Sequence, residues 1–128
     1  MNAQNNKLNW FEIPVTDFER GKSFYETVFD VSLQVMDFGG FKMAIFPNDN
    51  GNGKVYGALC FHPEQYIPSE NGVLIYLNCN PDLQPVLDKE ESNGGKILRP
   101  KTIISPEFGF MAMLIDSEGN RIALHSGA

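Results

Sequence analysis

Two histidines, two cysteines and one strand-borne glutamate are the side chains whose types and spacing could carry chemistry in this chain. Glu12 stands in the run Trp10-Phe11-Glu12-Ile13-Pro14, where alternation puts it on one face with Trp10 and Pro14 while Phe11, Ile13 and Val15 take the other. A carboxylate beside an indole either finds a donor, with Arg121, Asn78 and Tyr76 as candidates, or meets solvent, because burying it alone is costly. In an apolar, aromatic cleft it suits general acid or base work; an ion-paired structural role is the bland alternative. Cys60, His62 and His125 could join Glu12 in an unconventional set for a divalent cation. Against that, His62 precedes Pro63 as a strand-end residue does, and His125 lies near the last residues, where a solvated side chain is an equal reading. Cys60 and Cys79 lack redox or metal-ribbon spacing and read as reduced, buried thiols. There is no Gly-x-Ser-x-Gly elbow, and Gly39-Gly40 and the 50–53 stretch lack the strand-to-helix context of a phosphate loop.

These residues need elements to position them, and the chain supplies the same set twice. The pattern predicts a strand at 8–15 and a helix at 18–29, opened by a Thr16 or Asp17 cap and carrying Phe18, Phe24, Tyr25, Val28 and Phe29 at helical spacing. Strands follow at 32–38, 41–47 and 55–62, separated by Gly39-Gly40 and by a 48–54 loop rich in Asn, Asp and Gly. The order then recurs. A strand is predicted at 72–79, a helix from Pro81 in its first turn to an Asn93-Gly94-Gly95 stop, and strands at 96–99, 108–115 and 121–125. A proline-bearing linker at 62–71 joins the halves, and the 100–107 segment reads as a loop. A repeat of about 65 residues is too long for a solenoid and fits two half-domains packed together. Residues 108–113, with two Phe and two Met, read as a core strand or as an adaptable apolar wall.

The 128 residues suffice for one domain with a core. A hydrophobic content of 42% with ten Phe implies a globular protein, and no apolar run approaches the roughly 18–20 residues of a membrane span. Without a leader-like opening, cytoplasmic residence is the expectation. A net charge of −6, with ten scattered Lys and Arg, argues against a phosphate-binding basic face, so no nucleic-acid partner is expected.

The run from Ile13-Pro14-Val15-Thr16-Asp17 to Phe24-Tyr25, together with Gly94-Gly95-Lys96-Ile97-Leu98-Arg99-Pro100 and Asp116-Ser117-Glu118-Gly119-Asn120-Arg121-Ile122, resembles the module signatures of the vicinal oxygen chelate superfamily. That superfamily includes glyoxalases, extradiol dioxygenases and the fosfomycin and bleomycin resistance proteins. The resemblance implies an α+β fold of two βαβββ modules, about 8–62 and 72–126 within one domain, forming an open, curled mixed sheet around a cleft with the helices outside. It also implies a metal held by one side chain on the first and one on the last strand of each module. Those positions fall on Trp10, on Tyr76 or Asn78, on Cys60 and on Ala123. An indole and a methyl group cannot ligate a divalent cation. The implied reading is a glyoxalase-related protein without the usual metal, binding a small organic molecule through Glu12, Trp10, Tyr76, Asn78, Met111, Met113, Arg121 and His125. The alternative is a metal-dependent lyase, isomerase or dioxygenase-type enzyme with Glu12 as ligand or general base. Open sheet edges and the resemblance together imply a homodimer.

Overall fold

The computed structural model of the chain describes residues 1–48 and 54–128, so most of the expected 48–54 loop lies outside the described residues. Its elements run β1 (Trp10–Pro14), α1 (Phe18–Phe29), β2 (Gln34–Asp37), β3 (Lys42–Ile45), β4 (Tyr56–Phe61), β5 (Tyr76–Asn78), α2 (Gln84–Glu90), a 3-10 turn (Glu91–Asn93), β6 (Lys96–Ser105), β7 (Gly109–Ile115) and β8 (Arg121–Ser126). Two four-stranded sheets result, ordered β1-β4-β3-β2 and β5-β8-β7-β6. In each, the first and last strands pair in parallel and the rest are antiparallel. The expected α+β pair of βαβββ modules with open, mixed sheets is therefore the observed architecture.

Helix α1 forms where the sequence predicts it. Asp17 caps it by accepting from the Arg20 backbone at 3.1 Å, and Asp30 ends it in a left-handed conformation, φ 54°. Its buried stripe is Phe18, Gly21, Phe24, Tyr25 and Val28. Gly21 lets α1 approach Val15, the residue after β1: a Cβ would stand 2.8 Å from Val15 Cγ1. Helix α2 is shorter than predicted. Pro81 precedes it in a cis peptide, Pro85 takes the first turn instead, and the last residues before Gly94 tighten into the 3-10 turn. One apolar core joins both helices to the inner faces of both sheets, through Ile13, Val15, Tyr25, Leu59, Leu83, Leu87, Leu114 and Leu124 among others.

Two strand expectations need correction. Only Tyr76–Asn78 of the 72–79 run is strand, and Val73, before it, is 92% exposed. Conversely, most of the 100–107 segment expected as a loop is strand: β6 continues through Pro100 to Ser105, and only the turn after it is left. An edge strand tolerates a missing N–H, and register shifts at Ile97/Arg99, Arg99/Thr102 and Ile103/Ser105 absorb the irregularity. Cys60 and Cys79 are free and buried.

The modules are tied together by the 116–120 turn. Asp116 Oδ1 accepts from the backbones of Glu118 and Asn120, both at 2.9 Å, while Oδ2 accepts from Tyr25 Oη at 2.6 Å and Asn120 Nδ2 at 2.9 Å. Asn120 Nδ2 also donates to Pro14 O at 2.8 Å. Glu118 reaches into the other module, accepting from Thr16 N at 2.9 Å, Asp17 N at 2.8 Å and Arg20 Nε at 2.7 Å. A carboxylate from module two thus sits at the N-terminus of α1, where helix amides favour negative charge. Burial works to raise the Glu118 pKa, but hydrogen bonds from Arg20, Asp17, Ser117 and Thr16 outweigh it and leave the carboxyl below its ordinary value. Burial and the charge of Asp116 hold the Tyr25 hydroxyl well above the usual phenol range, so it stays a donor.

Glu90 is buried without such support. It is fully inaccessible, and neither carboxylate oxygen has a hydrogen-bond partner among the described residues. Burial, followed by the charges of Asp116 and Glu91, pushes its pKa up to about 8. Gly95 leaves it room, since a Cβ there would overlap Oε2.

Two predictions follow from these buried acids. Glu118→Ala should lower the unfolding free energy by about 2–3 kcal/mol, read as a shifted denaturation midpoint at constant slope. Because the Glu118 pKa is depressed on folding, its stabilisation is present above the unfolded carboxyl value of 4.5 and lost as pH falls through the folded one. Glu118→Gln should flatten that acid limb, and an unchanged limb would contradict the clamp. For Glu90 the sign reverses. A raised pKa means full stability below the unfolded value of 4.5 and progressive loss as pH climbs through about 8. Thermal unfolding of Glu90→Gln should lack the decline that wild type shows from about pH 5 to pH 8.

Candidate functional site

The first strands of the two modules lie on either side of a gap instead of pairing, and that gap is a cleft of ≈ 850 Å³. Its volume is within the range of small-molecule sites. Trp10 and Glu12 of β1 line one wall; Leu74, Tyr76 and Asn78 line the other, and Arg121 at the start of β8 closes one side. Leu8, Val55, Ile67 and Val73 stand at its rim, all exposed, Ile67 at 74%. Together with Tyr76 these are five exposed large apolar side chains converging on one concavity, the pattern of a binding surface.

Glu12 is exposed, and its donors are not the expected Arg121, Asn78 or Tyr76. Trp10 Nε1 donates to Oε2 at 3.1 Å and Tyr66 Oη to Oε1 at 2.8 Å. Trp10 is itself braced edge-on against Tyr56, with centroids 5.0 Å apart. Burial, then the hydrogen bond to Glu12, raises the Tyr66 hydroxyl far above its ordinary range, so it remains a proton donor to the carboxylate. Beneath them Cys60 is buried; burial first and the Glu12 charge second push its thiol to about 12. Cys79, buried against the second sheet, is raised to about 11 by burial.

Of the site residues read from the sequence, the cleft gathers Trp10, Glu12, Tyr76, Asn78 and Arg121. Met111, Met113 and His125 share the sheet face of Tyr76 and Asn78, through the pairs Met111↔His125, Met113↔Ala123 and Asn78↔His125, but lie outside the lining. His125 Nε2 is 2.6 Å from Phe108 O. Sequence reasoning missed Tyr66 and the rim residues Leu8, Val55, Ile67 and Val73. The apolar residues Tyr66-Ile67 set between prolines in the linker were the available signal.

The register between modules also corrects the expected cage. Val15 N donates to Cys60 O, and the same bond recurs as Cys79 N to His125 O. Cys60 is therefore the counterpart of His125, not of Ala123. Stepping back two residues makes Ala58, opposite Glu12, the counterpart of Ala123, opposite Tyr76. The counterpart of Trp10 is then Leu74. The four positions where the resembled family keeps its ligands thus hold Trp10, Ala58, Leu74 and Ala123, with both alanines fully buried. None of these side chains offers a lone pair to a cation, so the family's metal does not fit them. Nor does the unconventional set assemble: His62 Nδ1 accepts from Glu64 N at 3.2 Å, His125 turns to Phe108, and no three His, Cys, Asp or Glu side chains meet among the described residues.

Neither a family profile nor a curated relative matches the sequence. Solved structures do. Glyoxalase I from Zea mays superposes with a TM-score of 0.66 at 21% identity, covering 94% of this chain and 46% of the maize chain, so this chain spans about half of that enzyme's length. TnmS3, an antibiotic-binding protein from Streptomyces sp. CB03234, gives 0.66 at 19% identity over 99% and 100%. The trypanothione-dependent glyoxalase I of Leishmania major gives 0.69 at 18% identity over 96% and 88%. At such identities the likeness establishes the fold alone, one that this chain shares with glyoxalase I and with TnmS3.

The thiol environments yield a direct check. With pKa values raised to about 12 and about 11, Cys60 and Cys79 carry little thiolate at pH 8. A disulfide-exchange reagent should label the native protein only at the rate of its unfolding. Rapid labelling of one thiol would contradict these environments.

Proposed function

From a chain with the vicinal oxygen chelate fold whose four cage positions hold an indole, a leucine and two alanines, we propose a protein that binds a small organic molecule without a divalent metal. The observation that carries this reading is the convergence of five exposed apolar side chains on one ≈ 850 Å³ cleft between β1 and β5. Leaving such surface in water is unfavourable by roughly 25 cal/mol per Å², a cost an apolar ligand would recover. Trp10 and Tyr76 supply aromatic faces, and Trp10 is held by its bond to Glu12 and its contact with Tyr56, so little of its motion has to be frozen on binding. The antibiotic-binding TnmS3, similar over its whole length, supports a binding role for this fold.

In this reading Glu12 is a recognition group. Both its oxygens already accept one bond each, and each keeps a lone pair for a ligand donor. An enzyme of the lyase, isomerase or dioxygenase type would instead use Glu12 as ligand or base. Pairing with a second copy, which gel filtration would report, and cytoplasmic residence belong to the same proposal. No described helix is long and apolar enough to cross a membrane.

A thermal-shift screen of aromatic and polycyclic compounds, run with and without Ni, Zn and Mn, tests the proposal. A ligand at a hundred times its Kd should add about 2.7 kcal/mol, several degrees in Tm. The shift should be independent of metal and of chelator, and Val73→Asp should abolish it. A divalent cation that alone raises Tm, co-purifies at one equivalent and is lost in Glu12→Ala would sink the reading in favour of the enzyme.

A further inference from the structure

Arg121 is the unusual residue of the cleft. Elsewhere cations are tied down in ion pairs such as Arg20 with Glu118, Lys22 with Glu26 and Lys101 with Asp82. Arg121 has none of these, and its Nε is buried with no hydrogen-bond partner among the described residues. A guanidinium cannot discard its proton to escape that situation. An orphaned buried donor costs stability, and this one belongs to a residue that lines the apolar cleft. At the corresponding position of module one stands Tyr56, which packs against Trp10 and leaves nothing unsatisfied of that kind. The asymmetry between modules therefore lies in a cation facing the cleft.

We propose that Arg121 is the anion-recognising residue of the site and that the ligand is an apolar or aromatic molecule bearing a single carboxylate. This rests on the cleft reading above and specifies its ligand class. Guanidinium and carboxylate match as a two-pronged, charge-assisted pair, and the low-dielectric wall strengthens it. The single charge follows from the lining: among the described residues around the cleft only Arg121 and Glu12 are charged. One cation neutralises one anion. Glu12 repels a second anionic group and accepts from a hydroxyl or amino group at the far end of the ligand. The net charge of −6 gives anions no general reason to approach this protein, so affinity for one must come from this local feature.

Calorimetric titration with 2-naphthoate, its neutral match 2-naphthamide and the dianionic 2-naphthyl phosphate tests the assignment. The naphthoate should bind about ten-fold or more tightly than the amide and more tightly than the phosphate. Arg121→Gln should erase the naphthoate advantage while leaving amide affinity within about two-fold. Arg121→Lys, which keeps the charge but not the fork, should retain part of it and guards against a misfolded Gln variant. Equal affinity for naphthoate and amide, an advantage that survives Arg121→Gln, or a preference for the phosphate overturns this inference and leaves the cleft reading standing. Failure of all three probes to bind overturns both.

Discussion

The hydrogen-bonded docking of the 116–120 turn onto the start of α1 is the constraint on which the rest of this structure depends. It satisfies backbone donors at the α1 N-terminus and the Pro14 carbonyl at the end of β1 with side chains from the other module. Because Asn120 holds β1 by its last residue and β8 begins one residue later, the turn fixes how far β1 stands from the sheet that contains β5. The cleft is the space left by that distance. Asn120 extends the tie to the linker as well, accepting from Ser69 N at 3.2 Å beside the rim residue Ile67. A buried polar network of this kind is worth its desolvation only when every member is satisfied, and Asp116 meets that condition with four donors.

Glu90 and Arg121 stand outside that accounting, and for different reasons. Glu90 is sealed between α2 and the second sheet, where protonation removes the penalty of its charge. Arg121 has no such exit. Its Nε is buried without a partner on a residue that lines the apolar cleft, and in the proposed reading an entering carboxylate is the guanidinium's partner. The contrast separates a fully buried acid that adjusts its proton from a half-exposed base with one buried, unpartnered donor.

The positions where the resembled superfamily keeps its metal ligands are closed here. Ala58 and Ala123 bring the two module-ending strands into the core without projecting any donor, and Trp10 occupies the first-strand position with a ring that the sheet and Tyr56 hold upright. What remains is shape, aromatic area and two opposite charges. In the proposed reading, such a surface would discriminate ligands by packing and charge placement.

Much of this was legible in the chain itself. Alternation and helical spacing gave both modules, a cap at Thr16 or Asp17 and the α1 boundaries, because those signals are local and each residue's preference agreed with its neighbours. The alternation of Trp10 with Phe11 likewise assigned the faces of β1. What only the tertiary structure decided depends on pairing. Which residue of β8 corresponds to which of β4 is set by hydrogen-bond register, and a shift of two preserves every side chain's face, so periodicity is blind to it; hence Cys60 was matched to Ala123 and not to His125. The extension of β6 through Pro100 needed an edge position, the donors of Glu12 needed a linker folded back over β1, and the solitude of Arg121 needed the whole of its surroundings. A sequence fixes what each residue can offer, whereas the partner that accepts the offer is chosen by contacts between residues far apart in the chain.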